Sequence, residues 1–328
     1  MAGNQRAVVL LALGTPSEPT VPAVRRFLRA FLGDKRVIAL PWLFRKLLLE
    51  CIILPFRAKH SAALYQKIWT PQGSPFAVHT EALRKRLADA LGNSTPVHVA
   101  MRYGTPSAES VIRKLAADGT QEIVALPQFP HNAESSRETA VVHFSEVLKK
   151  HAPAIRLRIL PAFYDHPDYI AALAETLHGI DRSRRFVFSF HGIPVKSLFR
   201  IAGKRRLNCN PASAVFSAEA CKRCEAANDC YRRQCYATAS ALADAARIPA
   251  EQVRVAFQSR FGKGKWLLPA TADCVDDETI LVAPGFTVDC VETLLELQEL
   301  RPGKLIPCLN ASPAFARFLA EQVKALHA

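Results

Sequence analysis

Apolar residues fall in eight short, mostly unbroken runs at 8–14, 97–103, 122–129, 155–163, 185–191, 253–259, 279–286 and 304–310. Alternation is weak within them, as expected for parallel strands covered on both faces. Between most of these runs the apolar positions return with helical spacing, at 21–32, 80–91, 107–117, 135–150, 167–179, 231–246 and 289–299. Strand and helix in turn predict βαβ units and a doubly wound α/β fold. Four runs lie on each side of about residue 165, which predicts two similar lobes, each with a four-stranded parallel sheet flanked by helices. The expected division is 1–164, carrying an entry lip, and 165–328, with a C-terminal helix free to pack back on the first lobe. Ligands of open α/β sheets bind beyond the carboxyl ends of the strands, so a cleft there is the expected site.

Two segments break the alternation. Residues 41–57, PWLFRKLLLECIILPFR, put Trp42, Phe44, Leu47, Leu48, Cys51 and Ile52 near one helical face with basic residues around it. A core helix, a cleft lip and a membrane-surface helix all fit that pattern. Residues 196–230 have little periodicity, many basic residues and four of the nine cysteines, and read as an insertion between a strand and a helix.

At 328 residues, with 49% hydrophobic and 22% charged positions, the chain can bury a sizeable core without covalent staples. Its formal charge is +14, of which residues 1–60 carry +7 and residues 196–235 carry +6. Two surfaces therefore suit something anionic, such as phospholipid, nucleic acid or a carboxylated small molecule, unless they are simply solvated. The opening MAGNQRAVVLLALG lacks the ordered regions of a secretory leader, so the cysteines are expected as thiols or metal ligands in a cytoplasmic protein. No apolar stretch approaches the roughly 20 residues that span a bilayer. Neither G-x-G-x-x-G nor G-x-x-x-x-G-K-[ST] occurs, which leaves dinucleotide and P-loop nucleotide binding unsupported.

Three constellations could carry chemistry. RRFVFSF runs straight into His191, placing an imidazole at a strand's carboxyl end, where it can exchange protons near neutral pH or simply be capped. In PGFTVDCVETLLELQEL, Asp289, Glu292 and Glu296 share one face of a helix. D-x-x-E is also a capping box, with Asp289 as N-cap, which leaves Glu296 unexplained. Cys209, Cys221, Cys224 and Cys230 have the spacing C-x11-C-x2-C-x5-C, with Cys235 close behind, a metal-site signal that does not choose between zinc and an iron–sulfur cluster.

At these residues the sequence resembles the ferrochelatases. The matching segments run in order along most of the chain: VVLLALGTP, RVIALPWL, GSP, AMRYG, FYDHPDYI, SFHGIP, FQSRFG, PGFTVDCVETL and IPCLN. The resemblance implies insertion of Fe²⁺ into a porphyrin, protoporphyrin IX on the strength of the apolar lip, in haem synthesis. It makes His191 the candidate base or metal-handling group and Glu292 and Glu296 an acidic track. Arg57, Lys59 and Ser74 fall where propionate contacts are expected, Tyr103 and Trp266 where a ring could pack, and Arg102 and Asp289 among the substrate-side residues. It also makes Cys235 an ordinary helix residue and Cys209, Cys221, Cys224 and Cys230 the ligands of a [2Fe-2S] cluster, as in one bacterial group. Peripheral contact with an anionic membrane surface is expected, and nucleic acid is not. The rival readings are a metal-sensing or nucleic-acid-binding α/β protein and a chelatase for another metal or tetrapyrrole. The chain departs from the family pattern at FPHNAESSRETA, where Asn132 takes the place of a usual tyrosine, and at Leu300, where a third acidic residue is usual.

Overall fold

The computed structural model describes residues 6–92, 95–201, 229–260 and 264–326. In chain order the elements are β1 (Arg6–Ala12), α1 (Val21–Leu32), α2 (Trp42–Leu47), α3 (Leu54–Ile68), α4 (Pro75–Ala90), β2 (Val97–Met101), α5 (Ala108–Ala117), β3 (Glu122–Pro127), α6 (Thr139–His151) and β4 (Arg156–Ile159). There follow α7 (Pro167–Glu175), β5 (Phe186–His191), α8 (Val195–Ile201), α9 (Tyr231–Ala246), β6 (Val253–Gln258), β7 (Ile280–Val282), β8 (Lys304–Leu305) and α10 (Pro313–Ala325).

The strands form two four-stranded sheets with the orders β2-β1-β3-β4 and β6-β5-β7-β8. Every pairing in both is parallel. The second order is the first with four added to each strand number, so the expected fold of two similar doubly wound sheets is what the chain adopts. By its contacts the chain divides into one unit of residues 1–128, 135–161 and 316–328 and another of residues 129–134 and 162–315.

In the first unit, Ala7, Val9 and Leu11 of β1 and Ile123 and Ala125 of β3 pack with Ile112 and Leu115 of α5 and Phe144 and Leu148 of α6. In the second, Val187, Ala256, Leu281 and Leu297 form one layer. Phe186, Phe188 and Phe190 are buried as well, and as alternate residues of β5 they point to the opposite face from Val187. Burial on both faces explains why the runs read as continuous.

The runs over-reach the strands at their carboxyl ends. The run at 279–286 pairs only over Ile280–Val282, and that at 304–310 only over Lys304–Leu305. Residues beyond these points stay apolar because they line buried loops: Ala283, Ile306 and Leu309 are all under 5% exposed. Burial, not pairing, sets the length of an apolar run.

The segment at 41–57 is helical from Trp42 onward, with a π-helical turn over Leu48–Ile53 between α2 and α3. Leu49 and Ile53 are buried. The face picked out by the apolar pattern is the other one: Trp42, Phe44, Leu47 and Ile52 are 65, 64, 53 and 59% exposed, and Phe56 is 77% exposed. That excludes the core-helix alternative for this face. Among the described residues no helix is long and apolar enough to cross a membrane.

Candidate active site

The residues singled out by the sequence divide between the two units. In the second unit β5 delivers His191 to the sheet's carboxyl end, in register with Gln258 of β6. The next residue must be glycine. A Cβ at Gly192 would stand 2.6 Å from the carbonyl oxygen of Gln258, which accepts the Gly192 N–H at 2.8 Å. Trp266 lies against this turn, bridging to Pro194, while Val195 N–H donates to Lys265 O at 2.9 Å and Leu267 N–H to Ile193 O at 3.2 Å. The His191 carbonyl accepts the Tyr231 hydroxyl at 2.8 Å, and its ring lies 6.3 Å from that of Phe286. Burial holds the imidazole below its ordinary pKa, while the charge of Glu292 pulls the other way. His191 is therefore neutral at pH 7 with a carboxylate beside it, the state a proton acceptor needs.

Glu292 and Glu296 bound a π-helical turn, Glu292–Glu296, closed by Leu297 N–H on Glu292 O at 3.1 Å and followed by a 3-10 turn over Gln298–Leu300. The sequence reads as an α-helix from residue 289, but Asp289 and Cys290 precede the first helical residue. Asp289 is buried, and its oxygens accept from the Thr293 hydroxyl at 2.9 Å, the Cys308 N–H at 3.3 Å and the Asn310 amide at 2.7 Å. In return Asn310 Oδ1 accepts the Asp289 N–H at 2.8 Å. The D-x-x-E signal thus marks a tie between two loops rather than a capping box. π turns are rare and concentrate at functional sites. Glu296 accepts the Ser259 hydroxyl at 2.6 Å, a contact the sequence gives no sign of beyond placing Ser259 in FQSRFG. Burial and the charge of Glu292 push the Cys290 thiol well above its ordinary pKa, and burial with Asp289 does the same to Cys308, so both are neutral thiols rather than thiolates.

In the first unit the loops after β1 and β2 run side by side, with Arg102 N–H on Ala12 O and Tyr103 N–H on Leu13 O, both at 2.8 Å. Gly14 has φ +111°, and a Cβ there would lie 1.7 Å from the Tyr103 carbonyl, so only glycine lets the loops meet. Ser74, buried at the start of α4, accepts the Thr15 hydroxyl at 2.8 Å. Arg102 and Tyr103 converge on Asp34 Oδ2, at 2.6 and 2.9 Å, with Thr139 at 2.7 Å. These donors hold Asp34 down at about 2 against its burial. Arg102 is thus in a salt bridge, and Tyr103, 2% exposed, is a core residue that meets Phe31 edge-on with ring centroids 5.3 Å apart. On α3, Arg57 is half-buried and Lys59 exposed.

Cys209, Cys221 and Cys224 lie outside the described residues. Cys230 is buried just before α9, and Cys235 is fully buried within it. Among the described residues no three His, Cys, Asp or Glu side chains cluster as a metal site.

Two parallel α/β sheets of like order, with an imidazole and carboxylates at one sheet's carboxyl end, define a chelatase-like protein. The structure matches "SirB from Bacillus subtilis with Fe3+" with a TM-score of 0.51 at 13% identity, covering 99% of this chain and 96% of that one. It matches the sirohydrochlorin chelatase SirB of Bacillus subtilis subspecies spizizenii in complex with cobalt with a TM-score of 0.52 at 11% identity, over 98% and 95%. At such identities the likeness concerns the fold alone. In sequence, the ferrochelatase family model matches residues 5–326. The ferrochelatase of Opitutus terrae is 39% identical over 97% of each chain, and that of Coxiella burnetii strain Dugway is 37% identical over 98% of this chain and 94% of that one. The chain belongs to the ferrochelatase family, the lyases that insert Fe²⁺ into protoporphyrin IX in haem biosynthesis.

Proposed function

We propose that His191, Glu292 and Glu296 carry the insertion of Fe²⁺ into protoporphyrin IX. The observation that supports this most is the place of His191 at the carboxyl end of β5, where burial holds its imidazole below the ordinary pKa and the charge of Glu292 acts on it. Metallation removes both pyrrole N–H protons and passes Fe²⁺ from its carrier ligands to the ring nitrogens. His191 accepts the two pyrrole protons one at a time, releasing the first to solvent before it takes the second, and the charge of Glu292 stabilises the imidazolium formed at each step. Glu296 and Glu292 offer the oxygen ligands that suit a metal in transit, since thiolates would retain it. Arg57, Lys59 and Ser74 receive the propionates, and Trp266, at the turn that carries His191, packs on the ring.

Two further parts belong to this reading. Cys209, Cys221, Cys224 and Cys230 hold a [2Fe-2S] cluster: four thiolates within one segment fit that group, which when bound would serve a supporting or sensing role rather than deliver iron. The exposed apolar face of residues 42–56, with Arg45, Lys46, Arg57 and Lys59 around it, rests on an anionic membrane surface, where the apolar substrate partitions.

Anaerobic metallation with Fe²⁺, offering protoporphyrin IX and coproporphyrin III in parallel, tests the substrate. Protoporphyrin is expected to be turned over faster, and a preference for coproporphyrin would overturn the choice. Pelleting with anionic but not neutral vesicles, lost in Trp42→Ser/Phe44→Ser and at high salt, is expected of the membrane contact. Pelleting unchanged by those substitutions would remove it.

A further inference from the structure

We propose that Ser259 is a positioning residue for Glu296, and that the dipeptide Gln258–Ser259 at the end of β6 holds both halves of the site. The Gln258 carbonyl accepts the N–H of Gly192 at 2.8 Å and so fixes the turn that carries His191. The next residue reaches the other way, its hydroxyl donating to Glu296 Oε2 at 2.6 Å. Between the two, the backbone passes into the left-handed region, with Ser259 at φ +62°. Side-chain-bearing residues enter that region at a cost. Here the turn directs the hydroxyl onto the carboxylate.

Gln258 is itself anchored. It is 5% exposed, and its Oε1 accepts the Ser189 hydroxyl at 2.7 Å, which in turn lies 2.8 Å from Thr271 Oγ1. The strand end is therefore a fixed point from which both groups are set. Glu296 needs such a fixed point because it sits at the last residue of a π turn, where the main-chain bonds skip a residue and the side chain is less constrained by its own helix. A hydroxyl donor selects one carboxylate rotamer and keeps it aimed as an oxygen ligand, as outer groups do for metal-ligating side chains elsewhere.

The inference rests on the reading of Glu296 as an iron-handling residue, and its test separates the two. Initial rates are measured anaerobically at varied Fe²⁺ and varied protoporphyrin for Ser259→Ala, Ser259→Gly, Glu296→Gln and the double variant Ser259→Ala/Glu296→Gln. Melting temperatures confirm that each is folded. Ser259→Gly keeps the left-handed turn without strain, so it reports even if Ser259→Ala does not fold. The expected result is a KM for Fe²⁺ raised about tenfold in either Ser259 variant, with the KM for porphyrin unchanged, and no further rise when Ser259→Ala is added to Glu296→Gln. An unchanged KM for Fe²⁺, or a Ser259 effect that persists in full on the Glu296→Gln background, overturns the positioning role. Normal iron kinetics in Glu296→Gln overturn the reading of Glu296 itself, and the role of Ser259 with it.

Discussion

Tyr231 donates its hydroxyl to the main-chain carbonyl of His191 at 2.8 Å. Tyr231 is the first residue of α9 and the next residue after Cys230. The helix that leaves the cysteine segment is thereby bonded to the strand end that carries the imidazole. Tyr231 is 5% exposed, so Tyr231→Phe leaves a carbonyl with one partner fewer in a dry place. A stability loss of about 1 kcal/mol in denaturant titrations is expected, together with a several-fold fall in kcat. Full activity in Tyr231→Phe would show that the bond supports the helix alone.

His191→Ala is expected to lose about a hundredfold or more in metallation, the range typical of a lost general base, while still binding porphyrin by fluorescence quenching. His191 ends its strand, so truncation leaves the sheet pairing intact. The pH dependence has a defined sign. Burial lowers the imidazole's pKa below 6.5, so the neutral, proton-accepting form persists as pH falls past 6.5 and is lost only below it. The acid limb of kcat/KM is expected below pH 6.5, and a limb above 6.5 would assign it to another group.

Acid should also destabilise the fold in two separable windows. His131, 3% exposed, has its pKa held at about 3 by burial. The Thr238 hydroxyl donates to the Tyr164 carbonyl at 2.6 Å, so its oxygen accepts the Nε2–H of His131 at 2.8 Å, which places the proton of the neutral ring on Nε2. The unfolded chain takes up this proton near 6.5 and the folded one near 3. Stability is therefore complete above 6.5 and falls on acidification by up to ~1.4 kcal/mol per pH unit. For Asp34 the folded value of about 2 lies below the ordinary 3.8, so its contribution is full above 3.8 and lost as pH falls towards 2. His131→Gln should flatten the profile between pH 6 and 4, and Asp34→Asn only below 4. Parallel profiles for wild type and His131→Gln would refute the assignment.

Asp289 separates a structural carboxylate from a chemical one. Its three side-chain acceptor bonds, to Thr293, Cys308 and Asn310, tie the loop before the π turn to the loop after β8. Asp289→Ala strands these donors in a buried place, and a loss of about 2–4 kcal/mol is expected. Any surviving folded fraction should keep a near-normal KM for porphyrin. A raised KM in a variant of normal melting temperature would return Asp289 to the substrate.

The fold was legible because each strand is buried on both faces and so appears as an apolar run. The ends of β7 and β8 were not, since Ala283 and Leu309 are as buried in loops as they would be in a sheet. His191 was legible from its place at a strand end. The π turn was not: its hydrophobic spacing over five residues resembles that of an α-helix, and what sets it apart is the bond from Leu297 to Glu292. Asp289 matched a capping box because the same residue types serve both uses. The tie to Asn310 spans 21 positions, and no local pattern reveals it. The lip was seen as an apolar face, but periodicity is blind to whether such a face looks inward or out.

The two kinds of cysteine near α9 should respond differently to replacement. Cys235 is fully buried on the packed face of the helix, one turn in from its start, where a thiol serves as a small apolar side chain. Cys235→Ser is therefore expected to lose some stability and keep iron and sulfide in about the wild-type ratio. Cys221→Ser and Cys224→Ser are expected to lose the visible absorption of the cluster altogether, because three thiolates leave one iron open to exchange and hydrolysis. The measurement is iron and acid-labile sulfide on anaerobically purified protein, read beside the absorption spectrum. Zinc without sulfide in the wild type would replace the cluster by a structural metal site. Cluster loss in Cys235→Ser would move the fourth ligand from Cys230 to Cys235, five positions further along the chain and inside the helix.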